Sequence, residues 1–147
     1  MRKPPSIARF EQAYWASVIL GLINTGLNWS AAQQALAANP LLANARWFLP
    51  LTTVIGLAIS VSLWFFIVRQ PSVFAKWVQV VFAAFSFFGL LSTLFLLVTD
   101  RAVFGVPVVV GALSNLLYIA AAVLLFRADA REWLGEGFDA DDQAPLA

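Results

Sequence analysis

Cysteine and histidine are both absent from this chain. Their absence removes disulfides, thiol nucleophiles, imidazole haem ligation and the usual zinc sites together. Disulfide oxidoreductases, b-type cytochromes and histidine-based catalytic triads are therefore excluded. Charge is also scarce: 12 % of residues are Asp, Glu, Lys or Arg, about half the share of a soluble globular domain. The formal net charge of +1 gives no reason to expect nucleic acid. No phosphate loop or metal-ligand cluster is present either, and no cofactor is implied.

What remains is overwhelmingly apolar. The hydrophobic fraction is 61 % of 147 residues, with a mean hydropathy of +0.82. Four long apolar runs carry no charged residue near their centres. A bilayer core about 30 Å thick needs roughly 20 apolar residues per helix. The runs predict an all-α membrane protein, a left-handed four-transmembrane-helix bundle with spans from about Phe10 to Trp29, Trp47 to Val68, Phe74 to Val98 and Val103 to Phe126. A secretory signal peptide competes for the first run, because Ala35-Leu36-Ala37 resembles a cleavage site. The run is longer than an ordinary signal core, which favours a retained span.

Ser30 is positioned to cap a short alanine-rich extracytoplasmic helix between spans one and two, with Asn39-Pro40 ending it. Pro107 could kink span four or begin its regular part. Arg127 to Leu134 keeps helical character as a juxtamembrane extension that Gly135 stops. Residues 1–135 thus form one domain, and 136–147, with Glu136, Asp139, Asp141 and Asp142, read as an acidic disordered tail.

Orientation follows from the basic residues. Arg2, Lys3, Arg9, Arg69, Lys76, Arg127 and Arg131 fall on one side, whereas only Arg46 and Arg101 fall on the other. The positive-inside rule places both termini in the cytoplasm. Trp29 and Trp47 mark the outer boundary, Trp64, Trp77 and Trp133 the inner one, and Trp15 lies somewhat deeper.

An ionisable residue inside a span would flag transport or proton relay. The nearest is Glu11, in the first turn of span one among basic groups. The polar groups that lie deeper are uncharged: Ser17, Gly21, Asn24, Thr25 and Asn28 in span one, and Gly111, Ser114, Asn115 and Tyr118 in span four. Offsets of three, four and seven put each set on one helical face. Small residues permit close approach and carboxamides hydrogen-bond across the gap, so spans one and four should pack through this face. Depth counting inward from Trp29 and Val103 sets Gly21 level with Gly111. The same face is the candidate lining of a ligand site. Gly56-Ser60 and Ala58-Ser62 in span two, and Ala83, Ser86, Gly89 and Thr93 in span three, form lesser small-residue seams.

Several boundary motifs carry a resemblance: Phe10-Glu11-Gln12-Ala13-Tyr14, Gly21-Leu22-Ile23-Asn24-Thr25-Gly26-Leu27, Arg69 to Trp77, and Leu124-Leu125-Phe126-Arg127-Ala128-Asp129-Ala130-Arg131-Glu132-Trp133. In their order the chain resembles a group of small, uncharacterised four-span bacterial inner-membrane proteins. The resemblance implies the fold and the compartment and carries no activity. Small multidrug-resistance antiporters also have four spans but use a carboxylate inside the first, where this chain has only the edge residue Glu11. The expectation is a non-enzymatic membrane protein that contacts lipids and other membrane subunits or itself. It would serve as an accessory or scaffolding subunit; the alternative is a small channel or transporter for an uncharged or lipid-like solute.

Overall fold

The computed structural model describes residues 3–42, 44–99 and 103–136. The expectations for Arg2, Asp100, Arg101 and the acidic residues beyond Glu136 lie outside them. The described residues are helical with no strand: α1 (Pro5–Leu27), α2 (Trp29–Ala38), α3 (Phe48–Val68), α4 (Val73–Val98), α5 (Val106–Leu124) and α6 (Ala128–Trp133).

Three of these helices, α3, α4 and α5, are long and apolar enough to cross a membrane. At 23 residues α1 has the length, but Arg9, Glu11, Gln12, Asn24 and Thr25 dilute its hydropathy. It starts earlier than the apolar run because Pro5 is pre-set for a first turn, where its missing N–H is no loss. Similarly, Gly105 is the extended N-cap of α5 and Pro107 sits in the first turn, so this proline begins the helix rather than kinking it.

The short helix before α3 is present, but Ser30 does not cap it. That position belongs to Asn28, whose side chain is turned back onto α1 and makes no cap. Asn39 is extended and Pro40 follows, as the stop requires. A second difference lies after α5. The chain is not one continuous helix to Leu134; it leaves helical geometry after Leu124, and Arg127 is extended at the start of the separate α6. The break turns α6 back onto the start of α1, where Ala130 and Leu134 become buried. Gly135 then ends the element at φ 83°, the left-handed conformation glycine supplies at little cost.

The tightest packing is therefore concentrated at one end. Ile7, Phe10 and Tyr14 of α1 are fully buried against Leu63, Ile67 and Val68 of α3, Ala75 of α4 and Ala121 and Leu125 at the end of α5. We call this the charged end, because Lys3, Arg9, Arg69, Lys76, Arg127 and Arg131 and every described acidic residue belong to it. Away from it the helices meet mainly through α1 against α5 and α4 against α5. Most of the large apolar side chains of α3 and α4 point outward, among them Phe85, Phe88 and Phe95. That surface suits lipid and would be a severe liability in water.

The start of α1 is capped from a distance of 123 residues in sequence. Its N-cap, Pro4, has no side-chain donor or acceptor to offer. The carboxylate of Asp129 instead accepts the Ser6 backbone N–H at 3.0 Å and the Ser6 hydroxyl at 2.7 Å, satisfying one of the orphan donors of the first turn. The Ser6 hydroxyl, and then its backbone N–H, hold the Asp129 carboxyl below its ordinary value. A carboxyl whose pKa is lower folded than unfolded stabilises above its ordinary value, and loses that contribution as pH falls through the folded value. We expect hydrogen exchange, corrected for intrinsic rates, to rise over the first turns of α1 between about pH 6 and about pH 3. Asp129→Ala should show the raised exchange at both values. A pH-independent protection pattern in the unmodified protein would refute the linkage.

Candidate functional site

The most extensive helix contact in the molecule is α1 against α5, antiparallel, through the predicted face. Gly21 faces Ser114: a Cβ on Gly21 would lie 3.4 Å from the Ser114 hydroxyl. Asn24 fills the notch at Gly111, whose Cβ would lie 2.9 Å from Asn24 Nδ2. The Ser114 hydroxyl donates to the Ser17 carbonyl at 2.9 Å, tying the helices directly. Gly21 and Gly111 are thus not level. The register differs from the expected one by three residues, about 4.5 Å of rise. There are two reasons. The helices end at Leu27 and begin at Val106, not at Trp29 and Val103, which accounts for one residue of the shift. Two glycines at one level would also leave a void, whereas glycine against Asn or Ser is filled.

The nine candidate residues divide between two clefts on either side of this seam. Ser17, Gly21, Thr25, Ser114 and Tyr118 line an open cleft of about 470 Å³ whose other wall is α3, with Thr52, Thr53, Gly56 and Ser60. Asn24, Asn28, Gly111 and Asn115 line a smaller one of about 210 Å³ with Thr93 and Pro107. In the smaller cleft Asn28 Nδ2 donates to the Asn24 carbonyl at 2.9 Å and to Asn24 Oδ1 at 3.0 Å. The larger cleft looks polar by composition but is not so chemically. Thr25 donates to Gly21, Thr52 to Phe48, Thr53 to Leu49 and Ser60 to Gly56, each onto the carbonyl one turn back. With their protons committed to their own helices, these hydroxyls present mostly methyl groups and backbone to the cleft.

A third polar arrangement crosses all four long helices. Tyr118 on α5 donates to Gln79 Oε1 on α4 at 3.0 Å, and its ring lies 5.7 Å from that of Tyr14 on α1. The Tyr14 hydroxyl donates to the Ser60 carbonyl on α3 at 2.8 Å. Gln79 is fully buried and its Nε2 has no acceptor among the described residues. Sequence reasoning places Tyr118 in the site and misses Tyr14, Ser60 and Gln79. A signal existed for one of them: Gln79 shares a helical stripe with Ala75, Lys76 and Ala83, the only buried positions of α4.

Glu11 is a fastening. It pairs with Lys3 and accepts Trp64 Nε1–H at 2.9 Å, while the Arg69 guanidinium lies 5.9 Å from the Trp64 ring. These contacts clamp the start of α1 to the end of α3. No group of three or more acidic side chains that could hold a metal occurs among the described residues.

Fold and site together define an all-helical, membrane-embedded protein. Among the described residues its interior polar groups hydrogen-bond within and between the helices, with the buried Gln79 Nε2 as the exception. Comparison with protein-family models, curated proteins and solved structures finds no match for this chain.

Proposed function

We propose that this is a four-span protein of a bacterial inner membrane, with α1 as the fourth crossing helix and both termini in the cytoplasm. In this reading it performs no chemistry and acts as an accessory or scaffolding subunit, or by self-association. Six of the seven described basic residues lie at the charged end, with only Arg46 at the other, which supports that end as cytoplasmic.

The observation that carries the partner reading is the first half of α3. From Pro50 to Ile59 every residue but Thr53 is exposed, and a Cβ on Gly56 would meet nothing within 4 Å. Thr52, Gly56 and Ser60 repeat at four-residue spacing on the cleft side. Small residues at that spacing let a neighbouring helix approach closely, and α1 reaches this stripe at Ser60, through the Tyr14 hydroxyl, while Gly56 stays open.

Purification in mild detergent with mass determination tests this. A defined hetero-complex or homo-oligomer is expected, and Gly56→Leu should dissolve it while leaving the chain folded, since the site is open within the molecule. A monomer under gentle extraction, or an assembly indifferent to Gly56→Leu, would count against the proposal. The carboxamides of Asn24, Asn28 and Asn115 around one cleft favour the second reading, binding or passage of a small uncharged solute. Asn115→Leu would then abolish binding without altering the mass of the assembly.

A further inference from the structure

Lys76 lies in the first turn of α4, at the membrane boundary, where a lysine ordinarily extends its ammonium into water. Here the side chain is 2 % exposed. Its Nζ donates to Glu136 Oε2 at 2.6 Å and lies 4.4 Å from the centre of the Phe126 ring. An ammonium has three protons to donate, and Glu136 is the one hydrogen-bond acceptor it has among the described residues. Arg131 points its Nε at the same carboxylate oxygen, 3.6 Å away. Two cations therefore converge on one carboxylate. That carboxylate belongs to the residue just after the left-handed turn at Gly135.

Around this group is a hollow of about 510 Å³ bounded by Val73, Lys76, Trp77, Phe126, Arg131 and Glu136. Its apolar wall is an edge-to-face pair, Trp77 and Phe126, with ring centres 6.1 Å apart. Both rings are about half exposed and continue into the lipid-facing surface. The hollow thus joins a cationic floor to an apolar wall at the start of α4, a helix long and apolar enough to cross a membrane. A spanning placement of α4 would set it at the level of the phospholipid headgroups.

We propose that this hollow is a binding site for the phosphodiester headgroup of an anionic membrane lipid. Lys76 and Arg131 hold the phosphate oxygens, and the acyl chains run along Trp77 and Phe126. Glu136 is the intramolecular anion that fills the site when no lipid is bound. A phosphodiester offers two unesterified oxygens and so can meet both cations, including the ammonium protons that a single carboxylate oxygen leaves unmet. Interfacial basic pockets between helices that carry aromatic neighbours are suited to such headgroups. The site does not depend on whether α3 takes a partner helix.

The test uses the full chain in mild detergent, titrated with phosphatidylglycerol and, in parallel, phosphatidylcholine, with bound lipid counted by native mass spectrometry. Phosphatidylglycerol should be retained in preference. Glu136→Gln should raise its affinity about five-fold, and Arg131→Gln should lower it about five-fold, each being one charge near the headgroup plane. Lys76→Gln should remove the preference; should that variant fail to fold, the opposed responses of the Glu136 and Arg131 variants decide the matter alone. Arg9→Gln, at the same end but outside the hollow, should change nothing. Weaker or unchanged binding in Glu136→Gln would overturn the proposal, as would equal loss in Arg9→Gln. Displacement of phosphatidylglycerol by inorganic phosphate at equal concentration would overturn the lipid as the source of the anion.

Discussion

Tyr14→Ala should be among the most damaging single substitutions in this protein, lowering stability by about 3 kcal/mol. Tyr14 is fully buried. It stacks on Phe10 at 5.3 Å, leans on Tyr118 at 5.7 Å, and anchors α1 to α3 through the Ser60 carbonyl. Truncating a large buried aromatic costs about 3–5 kcal/mol in water-soluble cores. Part of that figure is transfer from water, which counts for less where the alternative surroundings are lipid, so the lower end applies. Tyr14→Phe separates packing from hydrogen bonding, since it removes only one inter-helix bond, typically worth about 0.6 and at most about 1.7 kcal/mol. Reversible unfolding in mixed micelles measures both. If the two variants were equally mild, the charged-end cluster would not be what holds α1 against α3.

The second large effect concerns the seam between α1 and α5. Gly111→Leu should cost about 1–3 kcal/mol, the usual range for overpacking a filled interface. Even its Cβ would lie within 2.9 Å of Asn24 Nδ2 and 3.5 Å of Asn24 Cγ. The carboxamide would have to rotate, which disturbs the bond it accepts from Asn28. Gly21→Ala should be far milder, because its Cβ meets the Ser114 hydroxyl at 3.4 Å and needs a shift of only a few tenths of an ångström. Gly26→Ala meets nothing within 4 Å and should be neutral or slightly stabilising through helix propensity, worth at most about 1 kcal/mol. The same unfolding assay gives the order. A Gly111→Leu protein as stable as Gly26→Ala would mean that the seam is not closely packed in the membrane.

These two substitutions also mark how far the sequence is legible. The face of Ser17, Gly21 and Asn24 could be matched to that of Gly111, Ser114 and Asn115 because helical periodicity is local, and a polar stripe in an apolar helix has to be turned toward another helix. The vertical register could not. It depends on where each helix begins, and on whether glycine is filled by a side chain or faces another glycine. The division of the nine positions between two clefts was hidden for the same reason: one helical face can be shared by two neighbours, and only the placement of α3 and α4 shows which residue goes to which. The hydroxyls of Thr25, Thr52 and Ser60 look like a polar lining until their bonds to the preceding turn are seen.

The long-range fastenings had no sequence signal that reasoning along the chain could use. Asp129 capping Ser6, Glu11 holding Trp64, and Lys76 meeting Glu136 join residues from 53 to 123 positions apart. In the sequence each is an ordinary boundary charge. Glu136 in particular reads as the first residue of an acidic tail, yet it is packed into the charged end.

By itself, the amino-acid sequence determined that this protein is helical, that α3, α4 and α5 are long and apolar enough to cross a membrane, and which helical faces are polar. Those properties follow from apolar length, backbone satisfaction and period, which are summed residue by residue. Only the tertiary structure decided that α1 is clamped at one end and that α3 swings free of it at the other. Only the tertiary structure turned a scattered set of boundary charges into a cationic hollow beside two aromatic rings. Such features depend on distances between helices, and those distances are set by packing many side chains at once.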